Sequence, residues 1–75
     1  YNALIVVQKD NPGVVAHMTK ILSDRGVNIA FMRLFREEKG HTAYTIVESD
    51  ERLPEGVAAL LQENPNITDV MVVQP

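Results

Sequence analysis

The sequence predicts an α+β fold: a four-stranded antiparallel sheet with two helices on one face. Three observations carry that expectation. Strand-like apolar runs open and close the chain, two stretches between them repeat apolar residues at helical spacing, and two further strand-like runs flank a short glycine-bearing connection.

The first run, Ala3-Leu4-Ile5-Val6-Val7, is aliphatic, largely β-branched and too short for a helix, so residues 2 to 8 read as a strand. It is apolar on both faces, as a central strand is. From Val14 the pattern changes. Val14, Val15, Met18, Ile21 and Leu22 recur at helical spacing, while His17, Thr19, Lys20, Ser23 and Asp24 fall on the other side. Asn11 is expected to cap this helix, Pro12 to fill its first position and Gly26 to end it. Residues 28 to 36 and 41 to 48 then flank Glu37-Glu38-Lys39-Gly40, which suits a β-hairpin. Pro54 is expected to open a second helix with Val57, Ala58, Leu60 and Leu61 as its apolar stripe, stopped by Asn64-Pro65-Asn66. Residues 67 to 74, with Ile67, Val70, Met71, Val72 and Val73, make a last strand. The order is β-α-β-β-α-β, which with right-handed crossovers gives the ferredoxin-like arrangement.

Both alternating sets of the second strand contain apolar residues: Ile29, Phe31 and Phe35 on one, Ala30, Met32 and Leu34 on the other. Helices on one side cannot bury both. Exposed apolar area of that kind, on a strand expected at the sheet edge, predicts self-association or docking on a larger protein.

A chain of 75 residues forms one domain and buries only about 60% of its unfolded surface, so a partner surface is expected on size alone. The net charge of -3 lacks the basic excess that nucleic acid or an anionic membrane rewards, and neither is expected as a partner. There is no cysteine, hence no disulfide, thiolate metal site or cysteine nucleophile in these residues. No apolar run approaches the ~20 residues of a membrane span, and the start has no basic region of a signal peptide. The chain reads as a soluble, cytoplasmic domain cut from a longer protein.

Candidate chemistry is sparse. His17 and His41 read as solvated rather than as metal ligands, Ser23 and Ser49 have no neighbouring base in a recognisable arrangement, and Met18, Met32 and Met71 read as core filler. An RNA-binding version of the fold needs a basic, aromatic-lined sheet; this chain is acidic, with Tyr1, Phe31, Phe35 and Tyr44 its only aromatics. A metal-chaperone version needs cysteines in the first loop, which here is Lys9-Asp10-Asn11-Pro12-Gly13. Two readings of that loop stand side by side. Asn11-Pro12-Gly13 is a helix entrance and no more, or it receives a small zwitterion. In the second reading the free amides and dipole of the helix meet a carboxylate, Gly13 leaves the backbone accessible, and Asp10 with Gln8, Asn11 or Asn28 meets an ammonium.

The element order, the entrance Asp10-Asn11-Pro12-Gly13-Val14-Val15 and the stretch Asp24-Arg25-Gly26-Val27-Asn28-Ile29 resemble the ACT domain over essentially the whole chain. The resemblance implies a regulatory domain, residues 1–75, that binds an amino acid and acts on an enzyme to which it is fused. It also implies a pair of domains, joined through sheet edges or faces, with ligand between the first loop of one copy and the second strand of the other. Carried over to this sequence, the ligand-binding residues are Gln8, Asp10, Asn11, Gly13 and Val14, with Asn28 and Ile29 facing them from the other copy.

Within that family the chain is similar to the regulatory domains of two serine-handling enzymes. Gly26-Val27-Asn28-Ile29-Ala30 resembles phosphoglycerate dehydrogenase, although Gln8 and Asp10 stand where that family carries a histidine and an asparagine. Asp10, Asn28-Ile29, Met32-Arg33, Arg36 and Ile46-Val47-Glu48-Ser49-Asp50 resemble the β subunit of the iron–sulfur L-serine dehydratase. That second resemblance implies L-serine as ligand and a parent enzyme that turns L-serine into pyruvate and ammonia. It would do so on an iron–sulfur cluster held outside these cysteine-free residues, with no cofactor in this chain. The alternative is a module that binds nothing small and only dimerises its enzyme.

Overall fold

The structure is a computed structural model that describes residues 2–37 and 40–75. Its elements run β1 (Asn2–Lys9), α1 (Val14–Asp24), β2 (Ile29–Arg36), β3 (Thr42–Ser49), α2 (Val57–Leu61) and β4 (Ile67–Val73). The strands form one antiparallel sheet in the order β2-β3-β1-β4, so β1 and β3 are central and β2 is an edge. The ferredoxin-like expectation is met. Tyr1 and the Glu38-Lys39 part of the expected hairpin connection lie outside the described residues.

One layer of side chains makes the core. Leu4 and Val6 of β1 and Val47 of β3 meet Val14, Met18 and Leu22 of α1 and Val57 and Leu61 of α2, all in one cluster, so both helices cover the same sheet face. Gln8 and Thr45 lie in this layer too, and the Thr45 hydroxyl donates to Gln8 Oε1 at 2.7 Å. Burial without a partner would cost each polar group free energy, and the pair removes that cost from both oxygens.

The chain ends of α1 differ from expectation at the start and agree at the finish. The helix begins at Val14, and its N-cap is Gly13 at φ +87°, with no side-chain cap. Asn11 is not the cap, because the helix starts only after the left-handed Gly13, two residues further on; its side chain instead donates from Nδ2 to Asn66 Oδ1 at 2.9 Å. Pro12 is correspondingly in the turn before the helix. At the other end Gly26, at φ +74°, sends its amide to the Ser23 carbonyl while the Val27 amide reaches Leu22, the paired closing bonds that a left-handed residue permits. The second helix is short. It starts at Val57 after the left-handed Gly56, not at Pro54, whose carbonyl instead accepts the Val57 amide in a preceding turn.

The outer sheet face is partly apolar and open, as the sequence implies, but its membership is shifted by a bulge. Between Ile29 and Phe31 the register to β3 slips by one residue, so Ile29 joins Met32 and Leu34 on the helix side instead of Phe31 and Phe35. Phe31 is 48% exposed and Met71 56% exposed on the outer face. Arg33 lies over the Phe35 ring there, 4.4 Å from its centroid, and the Tyr44 hydroxyl donates to Glu37. Of the histidines, His41 is exposed, whereas His17 is half-buried with Nε2 3.4 Å from the Leu61 carbonyl, so it bridges the two helices rather than standing in solvent.

Candidate functional site

Where β1 ends, the chain must leave the sheet centre and turn onto the helix layer, and backbone bonds hold that turn on two sides. The Asp10 amide donates to the His41 carbonyl at 2.6 Å, tying the loop to the base of the β2–β3 hairpin. On the other side the Lys9 amide donates to the Asn66 carbonyl at 2.8 Å, and the Asn11–Asn66 side-chain bond repeats the tie to the turn before β4. The loop is thus pinned at both flanks and open between them.

The opening is a cleft of about 440 Å³ lined by Asp10, Asn11, Pro12, Gly13, Val15, Leu34, Arg36 and Gly40. Asp10 sits at its base with a largely buried side chain, and its Oδ2 is 3.2 Å from Arg36 Nε and accepts the Gly40 amide at 3.1 Å. Arg36 itself is half-exposed at the end of the edge strand. Val15, Leu34 and Pro12 give an apolar wall, and the first amides of α1 adjoin it. An anion, a cation and a helix N-terminus therefore share one small concavity. That combination suits a compact zwitterion, with the carboxylate drawn to Arg36 and the helix and the ammonium drawn to Asp10. Among the described residues the lining contains no hydroxyl, thiol or imidazole, and no set of groups for nucleophilic chemistry.

The residues expected at the site divide three ways. Asp10, Asn11 and Gly13 line the cleft. Gln8 and Val14 stand behind it in the core, at 2% and 1% exposure, and Gln8 spends its carbonyl on Thr45. Ile29 starts β2 and Asn28 precedes it, seven and eight residue steps from Arg36 and on the order of 23 Å away along the strand. One chain does not unite the set. Pro12, Val15, Leu34, Arg36 and Gly40 line the cleft without having been expected there. Arg36 has a signal in the sequence only once the hairpin register is known, because pairing Arg36 with Ala43 and Lys9 with Thr42 is what sets the end of β2 beside Asp10.

At the far end Asn28 is exposed and heavily bonded. Its Nδ2 donates to Asp50 Oδ2 at 2.8 Å, its amide donates to Glu51 Oε1 at 2.7 Å, and its carbonyl accepts the Asp50 amide at 3.2 Å. The Ser49 hydroxyl donates to the Glu51 carbonyl at 2.7 Å and fixes the turn that carries both acids.

The family model described as the ACT domain matches residues 2–66. The chain belongs to the ACT domain family. As an ACT domain it is a regulatory rather than a catalytic module. Its sequence is 36% identical over 69 residues to D-3-phosphoglycerate dehydrogenase of Methanocaldococcus jannaschii, covering 92% of this chain and 13% of that protein. It is 28% identical over 68 residues to a probable L-serine dehydratase β chain of Bacillus subtilis, covering 91% of this chain and 31% of that one. The ACT domain thus spans less than a third of either relative. Among solved structures, a formyltetrahydrofolate deformylase from Pseudomonas putida superimposes with a TM-score of 0.78 at 18% identity, over 99% of this chain and 28% of that one, a likeness of fold. Among the described residues no helix is long and apolar enough to cross a membrane, and no group of three or more histidine, aspartate or glutamate side chains could hold a metal ion.

Proposed function

We propose that this ACT domain binds L-serine between two copies of itself and passes the binding to the catalytic part of a larger amino-acid-metabolising enzyme. The observation that supports the reading best is the division of the expected site along one strand. The cleft is at one end of β2 and Asn28 at the other, and β2 is an edge with no strand on its outer side among the described residues. If two copies pair antiparallel through β2, the Asn28 end of each meets the cleft of the other. Two complete sites form per pair. Ligand held across such a joint favours one mutual orientation of the copies, and an attached catalytic part responds to that preference.

For the parent enzyme the reading is L-serine dehydratase, on the matches at Asp10, Arg36 and the β3 exit. The higher identity to phosphoglycerate dehydrogenase makes that enzyme the second candidate, against which stand Gln8 and Asp10. An iron–sulfur cluster of a dehydratase would have its ligands elsewhere in the polypeptide, since these 75 residues contain no cysteine. Assay of the full-length protein for pyruvate and ammonia formed from L-serine separates the two parents.

Isothermal titration of the chain with L-serine, with sedimentation on the same samples, tests the site. Saturable heat together with a dimeric mass is expected. A dimer that gives no heat with L-serine would leave the domain as an assembly module and the loop as a helix entrance.

A further inference from the structure

We infer that Asp50 is a positioning residue: it holds the Asn28 carboxamide so that only its carbonyl oxygen is presented outward, as an acceptor for the ligand's ammonium. This deepens the proposed function and rests on it. The argument starts from what a carboxylate can do. Ionised Asp50 only accepts, so the side of the Asn28 amide set 2.8 Å from its Oδ2 is the NH2 group, and no other placing of nitrogen and oxygen is consistent with the contact. The remaining polar groups of Asn28 are also occupied: the amide by Glu51, the carbonyl by the Asp50 amide. Among the described residues no donor faces Asn28 Oδ1. Without Asp50 an exposed asparagine is free to turn either end of its amide outward. With it, the residue is committed to one polarity before any ligand arrives, and the ordering cost of binding falls.

The polarity is informative for the cleft that Asn28 would face. There Arg36 and the start of α1 answer a carboxylate, and Asp10 is partly neutralised by Arg36 and the Gly40 amide. A neutral acceptor from the second copy complements that arrangement, because the group that meets the ammonium is a carbonyl oxygen, while the Asp50 and Glu51 carboxylates stay engaged on the Asn28 NH2 and backbone amide. The inference is therefore specific to ligands with a free amine.

The experiment compares native chain, Asp50→Ala and Asp50→Asn in titrations with L-serine and with 3-hydroxypropionate, which is serine without its amine. Asp50→Ala should weaken L-serine binding about tenfold with the dimeric mass retained. Asp50→Asn should stay within about threefold of native, because its own carbonyl can accept the Asn28 NH2. Neither substitution should change the response to 3-hydroxypropionate. Native-like L-serine affinity in Asp50→Ala overturns the inference, and so does an equal loss in Asp50→Asn, which would make the charge of Asp50 the active property. Native protein that ignores L-serine overturns the proposed function itself, a result distinct from both. Should Asp50→Ala fail to fold, NMR of the native, ligand-free chain still decides: one Asn28 side-chain amide proton should be shifted downfield by the carboxylate, and two ordinary resonances would refute it.

Discussion

Gln8 and Thr45 show how one buried hydroxyl can matter more than its size suggests. Thr45→Val keeps the shape but leaves the Gln8 carbonyl oxygen in the core without its donor, which should cost about 1–3 kcal/mol in denaturant unfolding. Changing both, Gln8→Leu with Thr45→Val, removes the need for the bond and should return stability to within about 1 kcal/mol of native. Gly13 poses a different problem. A Cβ added there would meet nothing within 4 Å, so the obstacle to a side chain is the backbone at φ +87° rather than space. Gly13→Ala should therefore cost about 1–2 kcal/mol whether or not a ligand binds, and it is a poor probe of the cleft. Tyr44 carries the residue-level pH dependence. The hydrogen bond to Glu37, and after it the nearby negative charge, raise the phenol above its ordinary 10.0. A raised value means the contact favours the folded state while the phenol is protonated in both states, and the benefit is lost as pH climbs through the native titration. Ultraviolet titration should show Tyr44 ionising above 10 in the native chain, and Glu37→Gln should bring it back down.

At the scale of elements, the strands were legible and the helix entrances were not, for identifiable reasons. β1 is central and aliphatic on both faces, and no local competitor disturbs it, so its sequence alone marks it. The start of α1 is set by the left-handed turn at Gly13, and the Asn11 side chain before it is tied to Asn66, 55 residues away. No local rule contains that information. The same holds for Gln8: its side-chain carbonyl and the family resemblance suggested a ligand contact, while Thr45 on a neighbouring strand takes its oxygen. In β2 the bulge at Ala30 put Ile29 on the opposite face from Phe31, which alternation counted straight through could not anticipate. α2 is only five residues long, too short to stand on helix propensity, and is held by Val57 and Leu61 in the core. Leu61→Ala, fully buried and against both α1 and the sheet, should therefore cost about 2–5 kcal/mol by chemical denaturation.

The whole molecule is a small sheet with an open edge, a partly apolar outer face and a cleft at one corner. The candidate site was legible in part. Asp10, Asn11 and Gly13 line the cleft, whereas Arg36 and Leu34 reach it through strand pairing that the sequence does not spell out. Asn28, the far half of the proposed site, is separated from the cleft by the length of β2, and this is the geometric reason for proposing that the ligand lies between copies. The most direct measurement of that claim is complementation in mixed dimers, read by L-serine titration. Arg36→Ala disables the cleft of its own copy and Asn28→Ala disables the other half, so each variant alone should lose both sites of its dimer. After the two are mixed and re-equilibrated, each heterodimer regains one site with intact Arg36 and intact Asn28. The account predicts that native-like L-serine binding returns in the mixture, in up to one site per heterodimer. A mixture that binds no better than its two components would contradict a site shared between copies.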